Sequence, residues 1–204
     1  TPTDYSKSVK YNRFDVTGQL LKGANAIGVI LGNGRYTSMR MPGVRHFDVP
    51  KMIAQLEVYY EDGEKRVIAS DASWKITAEG PIGTNNEFDG EEYDARKEMP
   101  GWNTYPFDDT KWLQAEVVSL PEGKLEAQLN RNMKVMDTVK PIGITESAPG
   151  VYILDMGQNM VGWLRMKIKG QSGDTLKLRF AELLQKDGSI YTANLRTAHS
   201  ADTY

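Results

Sequence analysis

The segment IAQLEVYYEDGEKRVIAS, residues 53–70, decides the fold class, because it reads as two strands joined by a tight turn. Apolar and polar side chains alternate before the turn, with Leu56 and Val58 on one face and Glu57 on the other. A period of two is typical of a half-buried strand. Asp62-Gly63 is a turn pair that antiparallel hairpins favour. The segment therefore predicts a β-hairpin.

The same pattern recurs on both sides of this hairpin, and the recurrences are the segments NAIGVIL (residues 25–31), LRMKIKGQSGDTLKLRF (164–180) and QKDGSIY (185–191). We predict a strand in the first, a two-stranded antiparallel hairpin in the second, and a turn followed by a strand in the third. In the second segment we expect Leu164, Met166 and Ile168 to be buried. Helical periodicity is scarce, so the sequence predicts an all-β chain of two antiparallel β-sandwich units.

The segment DMGQNMVG, residues 155–162, leads into the second predicted hairpin and is rich in glycine and amide side chains. We expect Gly157 and Gly162 to allow a tight or bulged backbone. Asp155 and Asn159 can bond nearby backbone amides. The amide of Gln158 is then free to reach a sugar or another domain, with a loop-fixing role as the alternative.

Composition excludes several classes of protein. The 204 residues carry a formal net charge of −2, so there is no basic excess to suggest a nucleic-acid partner. No apolar run approaches the roughly 20 residues that span a bilayer, so we expect no membrane segment. The chain has no cysteine, which excludes disulfides and thiolate metal sites.

Acidic residues cluster in FDGEEYDAR, residues 88–96. Glycoside hydrolysis needs two carboxyl groups separated across a cleft, and adjacency in sequence does not supply that separation. The sequence therefore predicts no catalytic residue in this chain. Oxygen-rich loops also bind calcium, which makes Asp89 and Glu91 candidate ligands of a possible calcium ion. The alternative is a charged loop that makes local turn bonds. His46 and His199 have no partner at metal-ligand spacing.

Trp102 lies in a polar, loop-like stretch of sequence, and so do Tyr36 and Tyr105. A flat aromatic ring can stack on the apolar face of a sugar while neighbouring polar groups bond its hydroxyls. Trp102 is thus a candidate carbohydrate-binding residue, and packing in a core is the alternative.

Four segments in order resemble one known family, the bacterial α-L-rhamnosidases. YNRFDVTGQLLKGANAIGVILGNGRY (residues 11–36) and GEEYDARKEMPGWNTYPFDDTKWLQA (90–115) are similar to phrases of the family's N-terminal β-sandwich module. PGVYILDMGQNMVGWLRMKIKG (149–170) and the stretch 173–204 are similar to the concanavalin-like β-domain that follows. One departure is Arg35, where the family phrase usually has Trp, which puts sugar stacking at that position in doubt.

The resemblance implies a glycoside hydrolase that removes terminal α-L-rhamnose, with inversion, from glycosides or polysaccharides. Its acid and base would lie on a later (α/α)₆ helical barrel, so this chain alone is expected to be inactive. In the acidic cluster, the resemblance makes Glu92 and Asp94 candidate acceptors from sugar hydroxyls and Arg96 a candidate donor. The alternative is that these side chains pair with one another and fix the loop. No cofactor is required on this account, and calcium is a possible ligand.

The resemblance also divides the chain. Residues 1–125 would be the carbohydrate-binding-like N-terminal sandwich and residues 126–204 the first part of the concanavalin-like domain, each of them jelly-roll or galactose-binding-like and truncated. The expected partners are a rhamnose-containing carbohydrate and the helical barrel of the same protein, and we expect export to the periplasm or the exterior. A stand-alone lectin-like module and an interaction module without a ligand are the competing functions.

Overall fold

The computed structural model describes residues 4–34, 36–37 and 49–204, so Arg35 and His46 lie outside the described residues. The elements within them are all short. In chain order the strands are β1 (Ser8–Tyr11), β2 (Gln55–Tyr59), β3 (Lys65–Ala69), β4 (Lys75–Ile76), β5 (Ile82–Asn86), β6 (Gly90–Tyr93), β7 (Leu113–Gln114), β8 (Lys124–Ala127), β9 (Gly143–Ala148), β10 (Val151–Asp155), β11 (Lys177–Arg179), β12 (Leu183–Leu184), β13 (Ile190–Tyr191) and β14 (Ala201–Thr203). Single-turn 3₁₀ helices span Thr17–Gln19, Ala95–Lys97 and Ala193–Leu195. The all-β prediction is confirmed.

The chain divides into two compact units, each assembled from separated segments. The first comprises Thr1–Leu31, Lys51–Gly80 and Met99–Met133, and the second comprises Gly32–Pro50, Pro81–Glu98 and Lys134–Tyr204. The boundary predicted at residue 125 divides the chain into family modules instead, and it stays a prediction.

The described sheets of the first unit are three, each of two strands. β2 and β3 form the hairpin that the sequence predicts, with Leu56 opposite Ile68. Gly63 adopts a φ of 87° in its turn, which the missing side chain of glycine permits. β4 pairs with β7 in antiparallel orientation, whereas β1 pairs with β8 in parallel. The sequence did not predict a parallel pair.

A four-stranded sheet in the order β11-β14-β6-β5 is the largest sheet of the second unit. β14 runs antiparallel to β11 and parallel to β6, and β5 and β6 form an antiparallel hairpin. Two further hairpins, β9–β10 and β12–β13, complete the described sheets of this unit. The second of them confirms the turn and strand predicted in residues 185–191, with Gly188 at a φ of 85°.

The predicted hairpin across residues 164–180 is wrong. Its turn forms, since Asp174 N donates to Gln171 O at 3.1 Å and Gly173 has a φ of 95°. The first arm, however, has no assigned strand, and the second arm pairs with β14. Leu164, Met166 and Ile168, which were expected to be buried, are 38%, 41% and 50% exposed.

The register of the turn explains this failure. A ladder that continues outward from Gln171 opposite Asp174 sets Ile168 opposite Lys177 and Met166 opposite Arg179. Because side chains alternate with a period of two, the apolar face of one arm then shares a face with the cationic side chains of the other. Across residues 165–180 such a hairpin sets no two apolar side chains opposite each other, whereas pairing with β14 leaves Leu178 half-buried.

The strand predicted in residues 25–31 is also wrong. The turn before it forms, with Gly23 at a φ of 100° and Asn25 bonded to both the N–H and the C=O of Leu21. No described strand pairs with the residues that follow, and Ile27 and Leu31 are each about half exposed. Alternation specifies which side chains share a face, but a strand also needs a partner for its backbone N–H and C=O groups.

Apolar packing is shallow throughout the described residues, where no hydrophobic side chain is fully buried. Leu56 and Leu178 are half-buried on strands, and Trp74 is half-buried just before β4. Many large apolar side chains are exposed, Val161 and Trp163 among them. Within the same residues, no helix is long and apolar enough to cross a membrane.

Candidate functional site

The acidic cluster forms a tight β-hairpin in the second unit. β5 and β6 flank the turn, and Asn86 organises it, since its Oδ1 accepts from the backbone N–H groups of Phe88 and Asp89, each at 2.9 Å. Side-chain bonds of this kind are what favour Asn in turns. Gly90 follows with a φ of 97°, and a Cβ there would collide with the carbonyl of Ala201. The hairpin thus brings the cluster against β14.

The two candidate calcium ligands already hold partners in this hairpin. Asp89 Oδ1 accepts from the backbone N–H of His199 at 3.2 Å, and Glu91 Oε2 accepts from Asn85 Nδ2 at 2.7 Å. In the part of the chain that the structure describes, no three His, Asp or Glu side chains converge to hold a metal ion. These residues therefore do not form a ready calcium cage, and calcium binding by Asp89 and Glu91 stays a prediction.

Asp94 and Arg96 pair with each other. Arg96 donates from Nε to Asp94 Oδ1 and from Nη2 to Oδ2, both at 2.8 Å, in the two-pronged geometry that suits guanidinium and carboxylate. The backbone N–H of Arg96 adds a third bond to Oδ1, at 3.1 Å. The Arg96 hydrogen bonds lower the pKa of Asp94 to about 2. This carboxylate is ionised at neutral pH and fixes the start of the 3₁₀ helix Ala95–Lys97.

Glu92 differs from its neighbours because its side chain is exposed and makes no hydrogen bond with any described residue. On β6 it lies between Thr84 of β5 and Thr203 of β14. A carboxylate flanked by two hydroxyl side chains could accept from sugar hydroxyls without first breaking a bond within the protein. Among the candidates on the hairpin, Glu92 has the greatest freedom to do so.

An aromatic pair borders this hairpin. The rings of Tyr93 and Tyr204 stack with centroids 5.4 Å apart, and Tyr93 Oη donates to Glu98 Oε1 at 2.9 Å. Burial, followed by that bond to a carboxylate, raises the pKa of Tyr93 to about 12. The phenol therefore stays protonated and serves as a fixed donor.

The other two candidates lie away from the hairpin in sequence. Trp102 belongs to the first unit, where its half-buried indole lies so close to Gly28 that a Cβ on Gly28 would collide with it. That contact agrees with a packing role, and stacking of Trp102 on a sugar stays a prediction. Gln158, in the second unit, is exposed and makes no side-chain hydrogen bond with a described residue.

The loop that carries Gln158 forms largely as predicted. Asp155 Oδ1 accepts from the backbone N–H of Gly157 at 2.8 Å, and Gly157 has a φ of 73°. Asn159 instead donates to Glu182 Oε1 at 3.3 Å, so the expected backbone bond is replaced by one between side chains. At Gly162 an added Cβ would meet no described atom within 4 Å, and φ is not positive, so the predicted role of Gly162 is wrong.

Sequence reasoning missed the long-range contacts of the site. Asp202 Oδ1 accepts from the backbone N–H of Glu91 at 3.0 Å, across a separation of 111 residues. Nothing in the sequence around Asp202 signals that partner. The Asn85-Asn86 pair, in contrast, precedes an acidic, glycine-containing turn, and this pattern could have identified Asn86 as the residue that organises it.

Comparisons with known proteins cover nearly the whole chain. The family model described as the alpha-L-rhamnosidase N-terminal domain matches residues 1–137, and that of the bacterial alpha-L-rhamnosidase concanavalin-like domain matches residues 145–204. An alpha-L-rhamnosidase of Streptomyces avermitilis is 42% identical over 206 residues, which include 99% of this chain and 20% of that protein.

Two solved structures agree with these matches. The alpha-L-rhamnosidase from Dictyoglumus thermophilum is similar with a TM-score of 0.90 and 43% identity, covering 100% of this chain and 22% of that one. The Streptomyces avermitilis enzyme complexed with L-rhamnose gives a TM-score of 0.82 and 38% identity, with coverages of 99% and 20%. The chain thus spans about one fifth of the length of the relatives it matches.

Proposed function

The chain belongs to the bacterial α-L-rhamnosidase family, and we propose that it is the non-catalytic β-rich N-terminal region of an enzyme that hydrolyses terminal α-L-rhamnose. The observation that carries this proposal is the match of two family domains, in order, across residues 1–137 and 145–204. The substrate would be a rhamnose-containing glycoside or polysaccharide, and export is part of the same proposal.

The carboxyl groups support a non-catalytic role. An inverting glycosidase needs one carboxyl group held protonated to donate to the leaving oxygen, and its pKa must therefore be raised. Among the described residues, the carboxyl groups with a shifted pKa are all shifted downward, and Asp94 is the strongest case at about 2. Asp94 is suited to hold a guanidinium group and unsuited to act as a general acid. We place the acid and base of the proposed enzyme on an (α/α)₆ barrel outside this chain.

The exposed apolar side chains agree with a structural role, in which this chain packs beside such a barrel. Trp163 and Val161 in the second unit, and Leu129 and Met133 in the first, are each more than two thirds exposed. Large exposed apolar surfaces mark places where another protein surface packs. We propose that other parts of the α-L-rhamnosidase cover them.

Hydrolysis assays test the proposal that catalysis resides in another domain of the enzyme. The purified chain and the Streptomyces avermitilis relative would be incubated separately with an aryl α-L-rhamnoside, and release of the aryl group would be followed by absorbance. We expect release by the relative and none by the chain. Release by the purified chain at a rate above that of buffer would overturn the assignment of catalysis to another domain.

A stand-alone carbohydrate-binding module is the second candidate, favoured by the exposed and unbonded side chain of Glu92. Calorimetry with L-rhamnose, first with calcium and then with a chelator, tests it. A Glu92→Gln variant that weakens binding would support the role of this side chain, and no heat in either condition would remove the candidate. Ala148, which is exposed and distant in sequence, offers a neutral control as Ala148→Ser.

A further inference from the structure

A concave surface of the second unit carries three cations. A cavity of about 590 Å³ is lined by Lys177 and Arg179 of β11, by Arg196 after the 3₁₀ helix Ala193–Leu195, and by Thr192 and Thr197. None of the three cations forms an ion pair with a described carboxylate. By contrast, Asp94 and Arg96 on the acidic hairpin pair with each other.

The strand pleat explains why the cavity is basic. β11 and β14 are antiparallel, with Lys177 opposite Thr203, Leu178 opposite Asp202 and Arg179 opposite Ala201. Since opposed residues share a face, both cations lie with small or hydroxyl side chains, and Asp202 lies on the other face. The Asp202 carboxylate is engaged there by the backbone N–H of Glu91 at 3.0 Å. Glu92 of β6, opposite Thr203, is the acidic side chain of the sheet that shares the face of the two cations, and it lies two strands away from Lys177.

The loop of residues 192–199, which lines the cavity, positions the remaining groups. Arg179 Nη2 donates to Thr192 Oγ1 at 3.3 Å, which orients the guanidinium toward the loop. Arg196 has a φ of 58°, a conformation that is uncommon for a residue with a side chain. Its backbone N–H donates to Ala193 O at 3.3 Å. The loop therefore places a second guanidinium in the wall of the same cavity.

From this arrangement we propose that the cavity binds the carboxylate of an acidic saccharide, such as a uronic acid residue. Three like charges that share a cavity repel one another, and a bound anion relieves that repulsion. Planar guanidinium groups match the two oxygens of a carboxylate, and Thr192 and Thr197 supply hydroxyls for the sugar ring. The chemistry differs from that of neutral rhamnose, so this inference stands apart from the proposed function and does not depend on it.

Calorimetry with three matched probes tests the proposal on the whole chain in low-salt buffer. Methyl β-D-glucuronide carries the carboxylate on a sugar, methyl β-D-glucoside is the same sugar without it, and acetate is the carboxylate without the sugar. We expect the glucuronide to bind, the glucoside to give no heat, and acetate to bind at least about tenfold more weakly, with affinity for the glucuronide falling as salt is added. Binding of the glucoside or of acetate as tightly as the glucuronide would overturn the proposal, as would the absence of binding by the glucuronide.

Variants localise the binding. Arg179→Gln and Arg196→Gln are each expected to weaken glucuronide binding about tenfold, the usual effect of losing one charge-assisted hydrogen bond. Arg165→Gln removes the same charge from an exposed position of the same unit outside the cavity lining, and a change below twofold is expected. Circular dichroism would check that each variant is folded, and Lys177→Gln provides a further cavity variant. Equal affinities of the cavity variants and Arg165→Gln would contradict the assignment.

Discussion

Two turns that each contain an adjacent Asp and Gly lead to different outcomes. The turn at Asp62-Gly63 joins β2 to β3, which pair over five residues on each strand. The turn at Gly173-Asp174 forms equally well, yet the strands that it was predicted to join do not pair. Both turns contain a glycine at positive φ, with values of 87° and 95°. The difference shows that a sequence specifies its turns more reliably than its strand partners.

Cross-strand chemistry accounts for the first outcome. The register from Asp62-Gly63 sets Leu56 opposite Ile68, so two apolar side chains pair on one face, where Val58 also lies opposite Arg66. On the other face Lys65 lies 3.2 Å from Glu57 and 5.3 Å from the centroid of the Tyr59 ring. Opposite charges and apolar pairs across a ladder each stabilise a sheet. At the second turn the register opposes apolar to cationic side chains, and β11 pairs with β14 instead.

The largest expected effect comes from Gly90, where β6 approaches β14. A Gly90→Val substitution would force a β-branched residue to a φ of 97° and drive its Cβ into the Ala201 carbonyl. We expect a loss of about 3 kcal/mol in the free energy of unfolding, measured by urea denaturation. Gly83→Val on β5 is the matched control, since a Cβ there makes only ordinary contact with Glu92 O at 3.8 Å. Similar losses for both variants would show that the approach of β14 is not critical.

The two turns themselves can be compared by the same substitution. Gly63→Val is expected to cost about 1–2 kcal/mol, because the β2–β3 ladder holds the turn at its positive φ. Gly173→Val is expected to cost less than about 0.5 kcal/mol, because an unpaired first arm lets the turn relax. Thermal unfolding of the two variants measures the difference. Equal costs would mean that both turns are held with equal stiffness.

A one-residue insertion in the second turn should allow the strands on either side of it to pair as a hairpin. One glycine inserted between Ser172 and Gly173 shifts the register by one, so that Ile168 and Leu178 come onto a common face. We expect the amides of residues 164–168 to gain about tenfold protection in hydrogen exchange, or roughly 1.4 kcal/mol. A glycine inserted after Gly188, in a turn whose strands already pair, is the contrasting control and should reduce protection. No gain in residues 164–168 would refute the register explanation.

The smallest effect concerns the local pair on the acidic hairpin. Because Arg96 holds the folded pKa of Asp94 at about 2, below its ordinary 3.8, the pair stabilises the fold above about pH 4. That contribution is lost as the pH falls through about 2. NMR titration of the Asp94 carboxyl group should give a low pKa in the wild type and a higher pKa in Arg96→Gln, which loses the side-chain bonds but keeps the backbone one. An unchanged pKa in the variant would remove Arg96 as its cause.

Whether the sequence could predict a contact depends on how far apart the two residues lie in the chain. Asn86 bonds two residues on, Arg96 bonds two residues back, and Asp62-Gly63 makes its own turn, so local chemistry is sufficient for all three. Asp202 meets Glu91 across 111 residues, and no local pattern encodes that pairing. The pairing of β6 with β14 joins the same two segments and was missed for the same reason. Of the cavity cations, Lys177 and Arg179 were visible only as the polar side of an alternating strand, and Arg196 lies in a loop.

The most direct measurement replaces the matching fifth of the Dictyoglumus thermophilum α-L-rhamnosidase with this chain and follows hydrolysis of an aryl α-L-rhamnoside. The similarity of the two regions, with a TM-score of 0.90 over the whole chain, makes the exchange structurally feasible. We expect the chimera to retain rhamnoside hydrolysis and a version that lacks the region to lose it. A folded chimera without activity, or a deletion with full activity, would contradict the assignment of this chain as the supporting region of such an enzyme.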